Sequence, residues 1–199
     1  MGPVAQKPAN ARRAKVDRRQ EILAAAIAII GRDGLAGLSM RSVAREAGVS
    51  LGLVNYYFEE KTNLVAAVLK RVEADDLALL ASDPGLEPTE RLATALDRIM
   101  DRDFLTTDYL ALRLQLWATA QADDDFARIN ATAQRRYRKH LAELIANAVP
   151  GIDRAEASRR AADIDIIQNG IWLTALLKID RASLNRAAQR CRDIAFARS

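Results

Sequence analysis

The chain has 199 residues, of which half are hydrophobic and 28% are charged, a balance that favours a folded, globular protein. Its single cysteine, Cys191, excludes an internal disulfide framework and suits a reducing compartment. No apolar run approaches the ~20 residues of a membrane span, and residues 1–16 lack the apolar core of a signal peptide, so we expect a cytoplasmic protein. Glycine and proline are sparse, whereas alanine, leucine and arginine are frequent, which predicts an all-α fold.

Positive charge is concentrated near the start of the chain. Residues 1–71 carry 12 Lys and Arg against 6 Asp and Glu, a net of +6, whereas residues 72–199 have a net charge of −2. A basic segment of this kind favours binding to nucleic acid. A basic surface also serves solubility, so the charge alone does not indicate a nucleic-acid-binding protein. It supports that function because the motif described below lies in the same segment.

The first part of the chain predicts an arm followed by a helix. Residues 1–16 contain two prolines and the basic cluster Arg12–Lys15, which indicate a flexible basic arm. Asp17 and Gln20 have the spacing of a capping box, so the first helix is predicted to begin near Asp17. Gly34 is predicted to end this helix.

The segment Leu38–Phe58 predicts two short helices joined by a tight turn at Gly48. Ser39 and Ser50 stand where the N-cap of each helix is expected. Helices shorter than about 12 residues are marginal in water, so this pair must pack on a third helix. The pattern is that of a helix-turn-helix DNA-binding domain, to which we assign residues 17–62.

The remainder of the chain predicts further helices only. Thr62 is expected to cap a helix that ends near Leu80, and Pro88 suits the first turn of the next one. Later helices are predicted over 103–120, 123–149, 153–178 and from Asp180 onward, the last two beginning with aspartate caps. The fold would have about nine helices in all, with residues 63–199 forming a ligand-binding and dimerisation domain.

The helix-turn-helix segment resembles the TetR family of bacterial transcriptional repressors. The resemblance lies in Leu38–Ala44 and in Gly48–Leu64, with its Gly-Val-Ser, Tyr-Tyr-Phe and the following lysine; Asn55 departs from the aromatic residue of many members. It implies a TetR-like fold with an N-terminal three-helix DNA-binding domain and a helical C-terminal domain. It also implies a homodimer that represses transcription and is released from a palindromic operator by a small molecule.

The C-terminal half resembles a subgroup of this family. Leu112–Ala120 and Gln168–Leu173 look like parts of the ligand-binding domain of BetI-type regulators, which respond to choline. Because C-terminal domains of the family diverge freely, the resemblance implies the fold more firmly than the ligand.

The DNA-binding residues are predicted on and around the two short helices. Arg41 suits guanine and Asn55 suits adenine, as their side chains can form two hydrogen bonds with these bases. The resemblance assigns phosphate contacts to Tyr57 and Lys61, and helix N-termini and hydroxyls supply others. The full set is Ser39, Arg41, Ser50, Leu51, Gly52, Asn55, Tyr56, Tyr57, Lys61 and Thr62.

The segment Ile164–Ile179 is apolar nearly all round, so it must be covered on every side. One side is expected to meet its own domain and the other a second copy of the chain, in the four-helix interface that is usual in the TetR family. The predicted interface residues are Ile164, Ile167, Gly170 and Ile171.

Five residues are candidates for a ligand pocket, because pockets combine apolar walls with a few polar groups. Aromatic side chains among them could surround a quaternary ammonium ion, with Asp108 or Asp165 as a charge partner. Side chains of these types belong to the core or the dimer interface more often than to a pocket. The candidates are Phe104, Tyr109, Trp117, Asn169 and Trp172.

An enzyme is disfavoured by the same sequence. The lone His140 lies in a basic run, Cys191 has no activating neighbour, and the acids Asp123–Asp125 suit a helix N-terminus. No phosphate-binding loop or metal-ligand spacing is present, so no cofactor and no metal are predicted. The alternative function is an architectural DNA-binding protein without a ligand response.

Overall fold

The computed structural model describes residues 7–101, 105–177 and 180–197, which form nine α-helices, a short 3₁₀ helix and no strand. The all-α prediction is thereby confirmed. No helix in these ranges is long and apolar enough to cross a membrane. The helices are α1 Lys7–Gly37, α2 Met40–Glu46, α3 Leu51–Phe58, α4 Lys61–Leu80, α5 Pro88–Asp97, α6 Thr107–Ala122, α7 Asp124–Ala148, α8 Arg154–Leu176 and α9 Arg181–Ala195, and the 3₁₀ helix is Arg98–Met100.

The chain forms two compact units that divide between Val68 and Leu69. The division falls within α4, so this helix contributes residues to both units. The sequence places the domain boundary between Thr62 and Asn63, at the start of the same helix. Each unit is described separately below.

The first helix begins earlier than its capping pattern indicates. α1 starts at Lys7, ten residues before Asp17, because the alanines, arginines and lysine of this stretch are good helix formers and Pro8 lies in the first turn, where a proline is tolerated. Residues 1–6 lie outside the described residues, and the flexibility of the arm stays a prediction. Gly34, with φ 68° and ψ −178°, interrupts the helical geometry where the sequence places the helix end.

Both caps of the helix-turn-helix are confirmed. The Ser39 hydroxyl accepts a hydrogen bond from the Ser42 amide at 3.0 Å, and the Ser42 hydroxyl accepts one from the Ser39 amide at 2.8 Å. The Ser50 hydroxyl likewise accepts from the Leu53 amide at 3.2 Å. Gly48 has φ 64°, the left-handed conformation that a side chain would disfavour. These local contacts define the first residue of α2 and of α3.

The link between α3 and α4 consists of Glu59 and Glu60 alone. Glu59 has φ 58° and ψ −57°, and the Glu60 amide donates to the Phe58 carbonyl at 2.5 Å, which together define a γ-turn with positive φ. Such turns are rare and strained in L-residues. α4 then begins at Lys61, so Thr62 is its second residue and the prediction of an N-cap there is wrong.

The core of the N-terminal unit joins α1, α2, α3 and the start of α4. α1 contributes an apolar stripe, and Phe58 closes the core with the guanidinium of Arg19 over its ring at 5.0 Å. Leu38 is buried, whereas Leu35 is half-exposed. The fully or nearly fully buried residues include Ile22, Ala26, Ile29, Ile30, Leu38, Val43, Val54, Phe58, Leu64 and Val68.

The C-terminal unit is built from helices that begin with acidic caps. Asp123, Asp153 and Asp180 accept backbone hydrogen bonds at the starts of α7, α8 and α9, as predicted. Glu156, whose spacing from Asp153 predicts a capping box, does not form one, because its carboxylate accepts from Arg159 and Arg160 later in α8. α6 begins at Thr107, capped by Thr106, rather than at 103.

The apolar core of this unit joins α5, α7, α8 and α9, and it includes Cys191. Burial raises the pKa of the Cys191 thiol to about 11, so the group stays protonated at neutral pH. The Trp172 indole N–H donates to the Ile99 carbonyl at 3.2 Å and thereby fixes the largest buried side chain.

The structure corrects the predicted dimer residues on α8. Ile164 and Ile171 are 0% and 2% exposed within a single chain, so they have no surface to offer a partner. Ile167 is half-buried in the same core, and Gly170 is exposed. The apolar residues of α8 that do face outward are Ile166, Leu173 and Leu177.

Leu112 and Leu114 of α6 offer a matched test of the core. Leu112 is 1% exposed and Leu114 is 40% exposed, although they are two residues apart in one helix. Leu112→Ala should lower the free energy of unfolding by about 2–5 kcal/mol, because it removes buried methyl groups and leaves a cavity. Leu114→Ala should change it by about 0.5 kcal/mol.

The measurement is urea denaturation followed by the fluorescence of the two tryptophans, which both lie in the C-terminal unit. Equal losses of stability in the two variants would contradict the burial pattern of α6.

Candidate DNA-binding surface and ligand pocket

The exposed side of α3 carries the residues that the sequence assigns to DNA. Leu51, Gly52, Asn55 and Tyr56 are exposed, and their spacing places them on one face of the helix. Tyr56 is 65% exposed, and its ring makes an edge contact with the half-buried Tyr57 at 5.3 Å between centroids. The face combines an amide, two phenols and small apolar groups, which suits base edges and phosphates.

The two capping serines position backbone donors beside this face. Because Ser39 and Ser50 occupy N-cap positions, the first amides of α2 and α3 point out of the helix ends. Arg41, an exposed residue in the first turn of α2, adds a guanidinium. Helix N-termini attract phosphate groups, and arginine contacts both phosphates and guanine.

Lys61 and Thr62 are exposed in the first turn of α4. The Lys61 ammonium donates to the Leu35 carbonyl at 3.1 Å, near the end of α1. An ammonium group has three N–H donors, and this bond uses one of them. The contact therefore orients the Lys61 side chain and leaves N–H groups that can donate to a DNA phosphate.

An exposed ion pair connects α1 to α2. The guanidinium of Arg32 donates to the Glu46 carboxylate at 3.2 and 3.3 Å and also contacts Asp33. The hydrogen bond from Arg32 and its charge lower the pKa of Glu46 below its ordinary range. Both groups are exposed, so we assign the pair to orientation of the helices rather than to stability.

The C-terminal unit contains a small cavity of about 40 Å³ between α4, α6, α7 and α8. Trp117, Asn169 and Trp172 line it, as the sequence predicts for a pocket. Tyr109 stands beside it through its hydrogen bond to Asp76, whereas Phe104 lies outside the described residues. Lining residues that the sequence did not single out are Leu69, Val72, Glu73, Asp76, Arg113, Leu116, Ile129, Asn130, Ala133, Gln134, Tyr137 and Gln168.

A buried ion pair connects α4 to α6 in this cavity. Nη1 of Arg113 lies 2.5 and 2.6 Å from the two carboxylate oxygens of Asp76, and the Tyr109 hydroxyl donates to the same carboxylate at 2.9 Å. Burial raises the pKa of Asp76, whereas Arg113 and Tyr109 act in the opposite direction. Burial disfavours the charged form of Arg113, but Asp76 outweighs it and raises the pKa of the guanidinium. Since Arg113 and Tyr109 both donate to Asp76, we infer an ionised carboxylate.

The guanidinium of Arg113 also lies against the aromatic walls. Its central carbon is 4.3 Å from the ring centroid of Trp172, 5.3 Å from that of Trp117 and 6.0 Å from that of Tyr109. All three distances are within the range of a cation–π interaction. The three aromatic residues predicted to surround a ligand cation therefore surround a cation of the chain itself.

A polar wall formed by α7 and α8 faces the same space. The Tyr137 hydroxyl donates to Oε1 of Gln168 at 2.7 Å, and Asp165 accepts from Arg138 at 2.6 Å and from Asn169 at 3.2 Å. Burial raises the pKa of Tyr137, so it stays a hydrogen-bond donor at neutral pH. Asp108, the other predicted charge partner, is exposed at the start of α6 and does not line the cavity.

Three buried polar atoms of the cavity have no hydrogen-bond partner among the described residues. They are Nε of Arg113, Nε2 of Gln168 and Oδ1 of Asn169. The sequence could have indicated a functional role for Arg113, because it is the one charged residue between Tyr109 and Trp117, within the apolar run of α6. Nothing local marks Asp76 or Gln168, because their partners come from other helices.

Family models match both parts of the chain. Residues 22–68 match the model of bacterial regulatory proteins of the TetR family, and residues 88–196 match that of the C-terminal domain of BetI-type transcriptional repressors. A regulator named BetI 2 from Chromohalobacter salexigens is 30% identical over 165 residues, covering 80% of this chain and 78% of its own.

Solved structures show the same fold. A TetR-family regulator from a Rhodococcus species superposes with a TM-score of 0.78 at 22% identity, covering 92% of this chain and 100% of its own. A transcriptional regulator from Saccharomonospora viridis, solved in complex with choline, has a TM-score of 0.72 at 19% identity, covering 89% and 95%.

The helix-turn-helix with its exposed α3 and the match over residues 22–68 define a DNA-binding transcriptional regulator of the TetR family. The chain belongs to the BetI-type repressors of that family, as the match of its C-terminal unit shows. These relatives are transcriptional regulators.

Lys61→Ala tests the phosphate contact assigned to this residue. We expect weaker binding to all DNA sequences by a similar factor and a salt dependence reduced by ~1 in slope, because one phosphate neutralisation is lost. The measurement is a titration of DNA from upstream of the gene, and of unrelated DNA, at several salt concentrations. Lys70→Ala, at an exposed position later in α4, is the control. An unchanged slope would restrict Lys61 to its contact with Leu35.

Proposed function

We propose that this chain is a homodimeric repressor that binds a palindromic operator and leaves it when a small molecule enters the cavity of the C-terminal unit. The observation that carries the proposal is the combination, in one chain, of an exposed recognition helix with a largely buried polar cavity that α4 helps to line. Because bacterial transcription takes place in the cytoplasm, we place the protein there.

The DNA contacts are proposed on the face described above. Arg41, Leu51, Gly52, Asn55 and Tyr56 supply base contacts, as they are exposed on α2 and α3. Phosphate contacts are proposed for Ser39, Ser50, Tyr57, Lys61 and Thr62.

The dimer is proposed to form through the outward face of α8. Ile166, Leu173 and Leu177 are 63%, 41% and 64% exposed, and Gly170 lies among them with open space where a side chain would stand. Their spacing of four, three and four residues describes one stripe along the helix. A stripe of large apolar side chains with a glycine at its centre allows a second helix to approach closely and removes apolar surface from water.

α4 is proposed to couple the two functions. Leu69, Val72, Glu73 and Asp76 line the cavity, and the same helix begins two residues after the recognition helix ends. A ligand that favours one position of α4 over another would change the orientation of α3. A coupling free energy of ~1–3 kcal/mol would lower operator affinity by ~5–150-fold.

The regulator proposal is tested by binding to the DNA upstream of the gene, with and without excess competitor DNA. A protected palindrome whose two half-sites are about one helical turn apart is expected. Uniform binding without a protected site would instead favour an architectural DNA-binding protein. The small-molecule response is read as loss of this protection during a screen of candidate effectors.

Ile166→Asp should separate the dimer into monomers, because it places a charge within an apolar interface. The measurement is light scattering coupled to size exclusion at micromolar protein. Ala118→Asp, at an exposed position on α6, is the matched control and should remain dimeric. A wild-type monomer, or a dimeric Ile166→Asp variant, would contradict the proposed interface.

A further inference from the structure

We propose that Arg113 is a built-in cation that fills the aromatic part of the cavity, so that the effector of this chain is an uncharged molecule with oxygen acceptors rather than a quaternary ammonium ion. The inference rests on the proposed function, because it takes the cavity as the effector site. It is carried by three observations: the position of the guanidinium, the balance of charges, and the polar atoms that lack partners.

The first observation is that the Arg113 guanidinium already lies against the faces of the aromatic rings. The Arg113 guanidinium lies 4.3 Å from the centroid of Trp172 and 5.3 Å from that of Trp117, and the Arg113 side chain is only 9% exposed. An organic cation binds such rings through the same electrostatic attraction and would have to take the same place. It would also meet the positive charge of Arg113 in an enclosed space, where like charges repel strongly.

The second observation is that each carboxylate of the cavity already has a cationic partner. Among the residues that the structure describes, the lining contains three acidic side chains, and each accepts a hydrogen bond from a guanidinium within 2.6 Å. The pairs are Asp76 with Arg113, Glu73 with Arg136, and Asp165 with Arg138. A ligand with a net charge of either sign would lose hydration without gaining an unpaired counter-charge. If Asp76 were protonated, the charge of Arg113 would no longer be balanced, and a cationic ligand would be disfavoured further.

The third observation concerns hydrogen bonding. Nε of Arg113 and Nε2 of Gln168 are buried donors without partners among the described residues, and Arg113 and Gln168 are 8% and 0% exposed. The amide of Gln168 is oriented by the Tyr137 hydroxyl, which donates to its oxygen. A carbonyl, ether or hydroxyl oxygen would satisfy these donors, and a hydroxyl would also donate to Oδ1 of Asn169. A quaternary ammonium group offers no acceptor, so in choline only the hydroxyl could satisfy these donors.

The test uses three probes of the same shape that differ in charge. They are choline, its neutral isostere with a quaternary carbon in place of the nitrogen, and the anion of tert-butylacetic acid. Binding to the full-length protein is followed by tryptophan fluorescence and calorimetry in the absence of DNA. We expect the wild-type protein to bind the neutral isostere more tightly than either ion.

Arg113→Met should reverse this preference. Methionine fills similar space without a charge, so the variant frees the rings of Trp117 and Trp172 and the Asp76 carboxylate for an external cation. We expect choline to bind at least about tenfold more tightly than to the wild-type protein. Arg113→Lys, which keeps a cation in the cavity, is the matched control and should not gain choline binding. Arg113→Gln serves as a second neutral variant in case the methionine variant does not fold.

Tighter binding of choline than of the isostere to the wild-type protein would overturn the inference. Failure of both folded neutral variants to gain choline binding would overturn it as well. Operator binding is measured on the same preparation of wild-type protein, and its absence there would contradict the proposed function instead. The two failures are distinguishable because the probe titrations contain no DNA.

Discussion

The C-terminal unit depends on the ion pair between Asp76 and Arg113. It joins α4 to α6, and the stacking of the same guanidinium on Trp172 extends the connection to α8. A buried charge is stable only when it is paired and hydrogen-bonded, so these helices must keep their relative positions for the pair to persist. Replacement of one partner would leave the other as an uncompensated charge among apolar side chains. The pair therefore specifies the shape of the cavity as well as its chemistry.

Features that arise from neighbouring residues could be predicted from the sequence. Ser39, Ser50 and Asp153 cap helices because their side chains reach amides two or three residues away, and Gly48 adopts a conformation that its lack of a side chain permits. The start of α1 was missed because the pattern at Asp17 lies within a longer run of good helix formers. A capping pattern permits a helix start but does not require one.

Features that depend on distant residues were predicted only in part. Asp76 and Arg113 are 37 positions apart and lie on different helices, so no local pattern connects them. The composition of α8 shows that it must be covered on all sides, but it does not tell which side meets the core of its own chain. Ile164 and Ile166 are therefore equivalent in the sequence, although the first is buried and the second exposed. The aromatic residues were identified, whereas the cation that they surround was not.

The turn at Glu59 has a consequence for how movement passes along the chain. A linker of two residues, one of them in a strained conformation, has very few alternative shapes. A link with so few shapes can absorb little of a rotation of α4, whereas a flexible joint distributes such a displacement over several residues. This stiffness suits the coupling proposed above, in which a movement of α4 reorients α3.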